Sequence, residues 1–205
     1  MPRSSVSPYG IIRHLTFNHV EVNLQTLFLK SGLSNRMDRL QDFARQQKIA
    51  PEILAYDGRL SSFPNFAEVA LDDNRHFSFQ RELTGPAVTH QALVYIVRGT
   101  YREVIDLVAI VPTLNQAALY LGTRGVLGFH RFSHRGARRG VRVYRDPMQY
   151  LRDGRNGILI VDPVKAALEL RGKLLVVEST EHAHELAQLG LDTPPVIIRP
   201  LWRRR

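Results

Sequence analysis

The chain has 205 residues, 44% of them hydrophobic and 23% charged, the balance of one good-sized globular domain or of a domain with a small appendage. It contains no cysteine, which excludes disulfides, thiolate catalysis and cysteine-bound zinc, and no apolar run approaches the roughly 18 residues of a membrane-spanning helix. Its net charge of +9 points to phosphate-bearing or acidic partners.

In chain order, residues 1–9 read as a flexible leader with no apolar signal region, so a cytoplasmic protein is expected. Residues 10–50 read as a helical N-terminal part. Leu24, Leu27 and Phe28 mark one helix, and Ser34 starts a second with Met37, Leu40, Phe43 and Ala44 on one stripe. A helix pair with a Gly-containing turn admits a helix-turn-helix reading, although the mixed face of Asp38, Asp42, Arg36, Arg39 and Arg45 speaks for plain packing.

Residues 51–205 read as a mixed α/β core. Ile53 to Tyr56, Phe66 to Leu71 and Phe77 to Gln80 are expected strands, with Asp72-Asp73-Asn74 as a turn. Ala92 to Val97 and Val104 to Val111 pair most simply as a hairpin, which makes the middle of the chain an antiparallel meander. Thr113 and Gln116 stand at capping-box spacing and predict a helix ending at Gly122. Val126 to Phe129 and Val141 to Tyr144 are expected short strands, and Asp146-Pro147 opens a short helix through Arg152.

Residues 157–200 carry the clearest pattern. Apolar runs at Ile158 to Val161, Leu174 to Val177 and Val196 to Ile198 alternate with two helical stretches, which predicts a C-terminal βαβαβ unit. Asp162-Pro163 opens the first helix, whose apolar stripe is Val164, Ala167, Leu168 and Leu170; Ser179 or Thr180 opens the second. The fold class expected is therefore α+β or α/β, with the meander and the βαβαβ unit joined into one mixed sheet.

The charge is regional. Between Asp106 and Asp146 there is no acidic residue, yet Arg124, Arg131, Arg135, Arg138, Arg139, Arg142 and Arg145 lie there; Arg199, Arg203, Arg204 and Arg205 follow near the end. Within the basic loop, residues 124–145, guanidinium groups can meet phosphates while Phe129, Phe132 and Tyr144 stack on bases. The expected nucleic-acid-binding residues are thus Arg131, Arg135, Arg138, Arg139, Arg142, Arg145, Phe132, Tyr144 and the tail of Arg203, Arg204 and Arg205. A solvated surface loop is the plainer alternative.

Carboxylates supply a different reading. Asp162 and Glu178 stand at the ends of expected parallel strands, where α/β folds hold ligands, and Asp106 interrupts a buried strand. Asp162 is explained by capping and Asp106 by an ion pair or an edge guard, which leaves Glu178 as the better candidate. Leu174-Leu175-Val176-Val177-Glu178 with its following helix resembles the opening of a TOPRIM domain, whose strand-end glutamate acts in phosphoryl chemistry. Ser179 stands where that family has glycine and its later Asp-x-Asp pair is missing, so the resemblance is not adopted.

His130 with His134, and His182 with His184, lack a third ligand at a defined spacing, so no metal or cofactor is expected. The leading expectation is a non-enzymatic nucleic-acid-associated protein, binding DNA or RNA without a membrane. A metal-dependent phosphate-ester enzyme using Asp106, Asp162 and Glu178 is one alternative, and a subunit that binds an acidic protein partner is the other.

Overall fold

A computed structural model describes residues 20–32, 36–54, 64–99, 103–128, 140–188 and 196–198. The expected leader, Phe129, His130, Arg131, Phe132, His134, Arg135, Arg138, Arg139, Arg199 and the terminal arginines lie outside the described residues. Three helices come first: α1 (Val20–Ser31), α2 (Arg36–Gln47) and the single turn α3 (Pro51–Leu54). Where the sequence suggested a strand from Ile53, Pro51 instead starts this helical turn, because proline suits a first helical position and Leu54 is fully buried there.

The first sheet has the order β2-β1-β3-β4-β5, built from β1 (Asn65–Leu71), β2 (Phe77–Phe79), β3 (His90–Arg98), β4 (Val104–Val111) and β5 (Gln116–Leu119). Every pairing is antiparallel, so the expected meander is present. Asp72 makes the first turn by accepting the N–H groups of Asn74 at 2.9 Å and His76 at 2.8 Å.

Strand alternation gives this sheet two buried faces. Ala67, Val69, Val94, Leu107 and Ala109 meet Leu24 and Phe28 of α1. Phe66, Leu93, Tyr95, Val108 and Ile110 meet Leu40, Phe43 and Ala44 of α2. The two helices therefore sit on opposite sides of one sheet, and the helix-turn-helix reading fails on packing.

The helix expected after Thr113 is absent. Pro112 to Asn115 form a tight turn with Asn115 at φ 51°, and β5 pairs back on β4 from Val111↔Gln116 to Val108↔Leu119. Tertiary pairing overrides the helix preference of Ala117 and Ala118, since their small side chains complete a sheet already buried on both faces.

The second sheet has the order β10-β9-β7-β8-β6. Its members are β6 (Val126–Leu127), β7 (Val141–Tyr144), β8 (Ile158–Ile160), β9 (Leu175–Val177) and β10 (Val196–Ile198), with α4 (Pro147–Arg152), α5 (Pro163–Glu169) and α6 (Thr180–Gln188) between them. β7, β8, β9 and β10 run parallel, and β6 is antiparallel to β8. The βαβαβ unit is present, but β7 lies between β8 and β9, and the meander forms a separate sheet rather than one joined sheet.

Met148, Tyr150 and Leu151 of α4 pack into the core shared with the first sheet, while Ala166 of α5 and Leu186 of α6 cover the opposite face. This is doubly wound packing, with the strand order reversing beside β7. Asp146 and Asp162 cap α4 and α5 as expected. The stripe expected on α5 is rotated: Ala166 and Leu170 are buried, whereas Val164 and Leu168 are 76% and 74% exposed.

Candidate functional site

Asp106 lies fully buried on β4 and accepts four hydrogen bonds. Its donors are the N–H groups of Leu107 and Leu121 at 2.8 Å each, the Thr123 N–H at 2.7 Å and the Thr123 hydroxyl at 3.1 Å. Burial raises its pKa, against the pull of these bonds. With its lone pairs occupied by its own strand and by the segment that leads into the second sheet, Asp106 is a structural acceptor rather than a ligand.

Asp162 is also occupied. It accepts from Val164 and Lys165 N–H at 3.0 and 3.2 Å, and the Lys165 ammonium lies 3.1 Å away. Burial raises its pKa, but the bonds and charge of Lys165 and Val164 outweigh that and hold it below the ordinary value. No group of three or more His, Asp or Glu side chains among the described residues is placed to hold a metal ion.

Glu178, just past β9, faces His182, a residue the sequence reading passed over as half of a mismatched pair. His182 Nδ1 is buried, has no hydrogen-bond partner among the described residues and lies 4.0 Å from Glu178 Oε1. Burial lowers the His182 pKa below its ordinary 6.5; Glu178 and Glu185 oppose that shift and Arg145 adds to it. A depressed folded-state pKa means the unfolded chain takes up the proton first, so stability is lost as pH falls below 6.5. Urea unfolding between pH 5 and 8 should therefore show a decline toward acid that is shallower in His182→Gln; equal slopes in both proteins would refute this assignment.

Among the described residues, each of the three arginines of the basic stretch has an acidic partner. Arg124 lies 3.8 Å from Glu169, Arg142 lies 3.1 Å from Asp153, and Arg145 lies 2.8 Å from Glu185. Arg142 also stacks at 4.7 Å over the Tyr144 ring. Tyr144 itself is 1% exposed, packs edge-on against Tyr150 and donates its hydroxyl to Asp153 at 3.1 Å. Its expected role as a platform for bases is corrected: inward alternation on a central strand turns this ring into the core.

Three carboxylates stand at one edge of the second sheet. Asp146, Asp162 and Glu178 follow the carboxyl ends of β7, β8 and β9. The chain leaves the sheet at Gly128 and rejoins it at Gly140 on the other edge, because β6 runs down to Gly128 against β8 and β7 starts upward from Gly140, whereas Arg124 and Arg145, at the ends of the basic stretch, stand on the carboxyl side. The terminal segment leaves β10 at the carboxyl edge, where Ile198 pairs with Val177. The chain beyond Gly128 and the chain beyond Ile198 thus depart from opposite edges.

No helix among the described residues is long and apolar enough to cross a membrane. No protein family, curated protein or solved structure matches this chain.

Proposed function

We propose that the protein is a non-enzymatic nucleic-acid-associated protein that grips backbone phosphates through Arg131, Arg135, Arg138 and Arg139. The observation that carries this reading is the stretch of seven arginines without one acid, whose central part begins and ends at the sheet edge opposite the strand-end carboxylates. Arg124, Arg142 and Arg145, with acids beside them, serve the fold in this reading, and the four arginines between Gly128 and Gly140 supply the grip. A catalytic reading finds less support, since Asp106 and Asp162 are taken up by hydrogen bonds. The reading places the protein in the cytosol, where DNA and RNA are met.

Fluorescence anisotropy of labelled single- and double-stranded DNA and RNA across a salt series tests it. Wild type should bind with an affinity that falls steeply with salt. Replacing Arg131, Arg135, Arg138 and Arg139 by Ala should weaken binding and flatten the duplex salt slope by roughly 0.9 for each phosphate contact removed. Arg142→Ala should leave affinity unchanged and lower stability by about 1 kcal/mol, because its ion pair is partly solvated and its stacking is local. A wild-type protein that binds none of the oligonucleotides at low salt sinks the proposal.

A further inference from the structure

We propose that the outer face of α5 is a contact between two copies of this chain, related by a two-fold axis that crosses the helix between Val164 and Leu168. The proposal stands independently of the nucleic-acid reading above.

A helix on a protein surface ordinarily shows its charged side chains to water and keeps its large apolar ones for the core. Helix α5 does the reverse. Ala166 and Leu170 face the core, while Val164 and Leu168, one turn apart on the other side, are exposed. Both charged side chains of the helix are turned to groups of the same chain. The Lys165 ammonium meets the Gly122 carbonyl and lies 3.1 Å from Asp162, and Glu169 accepts the Gly125 N–H at 2.5 Å and faces Arg124. Covering this apolar stripe takes two large side chains of each copy out of water.

Charge at the two ends of the stripe identifies what covers it. Helix α5 runs from Asp162, at the carboxyl edge of the sheet, to the exposed turn at Arg171 and Gly172. That turn stands at the opposite edge, because the Leu174 carbonyl just beyond it accepts the N–H of Val141, the first residue of β7. Helix α6 lies on the same face of the sheet, since Leu186 shares a core cluster with Ala166. It runs in the same direction from the carboxyl end of β9, so its exposed Glu181 stands at the edge where α5 begins. The helical layer thus carries an acid at one end, an apolar stretch in the middle and a guanidinium at the other end. A two-fold axis exchanges these ends. It lays α5 of one copy antiparallel on α5 of the other, stripe against stripe, and brings each Arg171 to the end that carries Glu181 in the second copy. Antiparallel helices also bring opposite dipole ends together. An unrelated acidic protein would match Arg171 but meet Glu181 with like charge, which favours a second copy.

Sedimentation equilibrium from about 5 to 500 µM protein tests the proposal. Wild type should form a dimer and nothing larger, with a dissociation constant on the order of 10 to 100 µM, because two seven-residue helices make a small contact. Leu168→Asp and Val164→Asp should each weaken the dimer at least about ten-fold. Leu29→Asp, at an exposed leucine of α1, is the control and should leave it unchanged. Arg171→Glu and Glu181→Arg should each weaken it roughly three- to ten-fold, and the double variant, which exchanges the two charges, should return to within about two-fold of wild type. A wild type that stays monomeric at the highest concentration overturns the proposal. Equal losses in Leu168→Asp and Leu29→Asp also overturn it, since they show unspecific apolar attraction. A double variant no stronger than the single ones does the same, because it places Arg171 and Glu181 apart.

Discussion

Asp106→Ala is expected to lower the free energy of unfolding at pH 7 by about 3–5 kcal/mol, because it leaves several buried donors without an acceptor at roughly 1–3 kcal/mol each. The donors are the N–H groups of Leu107, Leu121 and Thr123, with the Thr123 hydroxyl as a fourth. The loss concerns more than one strand, since Leu121 and Thr123 belong to the segment that carries the chain from the first sheet to the second. Asp106→Asn keeps one carbonyl oxygen but turns an amide donor toward other donors, so it should fall between wild type and Ala. Urea unfolding of the three proteins decides this; a loss below about 1 kcal/mol for Ala would show that the donors find other acceptors.

Gly125→Ala is the second large effect, a loss of roughly 3 kcal/mol or more from overpacking against backbone. A Cβ on Gly125 would lie 2.0 Å from the Ala166 nitrogen and 2.5 Å from the Lys165 carbonyl carbon, atoms of α5 that cannot rotate away. Any shift that relieves the clash also disturbs three hydrogen bonds. The Gly125 carbonyl receives Val161 and Asp162 N–H at 2.8 and 3.1 Å, and its N–H goes to Glu169 at 2.5 Å. Gly85→Ala is the comparison: nothing lies within 4 Å of that position, and its effect should stay within about 0.5 kcal/mol. Thermal unfolding of both variants reads the contrast, and equal melting temperatures would contradict the close approach of α5.

These two positions also show where sequence reasoning reached its limit. The sequence marks Asp106 as a costly carboxylate in an apolar run, but the donors to its oxygens are 15 and 17 residues on, in a stretch whose pattern predicts a helix and its end. A helix from Thr113 to Leu121 would have satisfied the Leu121 N–H internally, so the need for Asp106 was invisible. Gly125 carried no local signal, because its constraint comes from α5, about forty residues away. His182 was passed over for a related reason: helical spacing shows which face a side chain takes, not whether its ring nitrogen finds a partner once buried.

By itself the sequence determined most elements of the second half. Pro163 and Pro147 behind capping aspartates, glycine stops and short β-branched runs are local signals, and local backbone preference suffices to place helices α4, α5 and α6 and the strands between them. It also determined the regional charge, which is a property of composition along the chain. Only the tertiary structure decided which strands are neighbours, that α1 and α2 cover opposite faces, and that Tyr144 points inward. Each of these depends on which of several similar apolar runs pair with one another. That choice is made by the summed burial and hydrogen bonding of the whole core, and no local pattern encodes it.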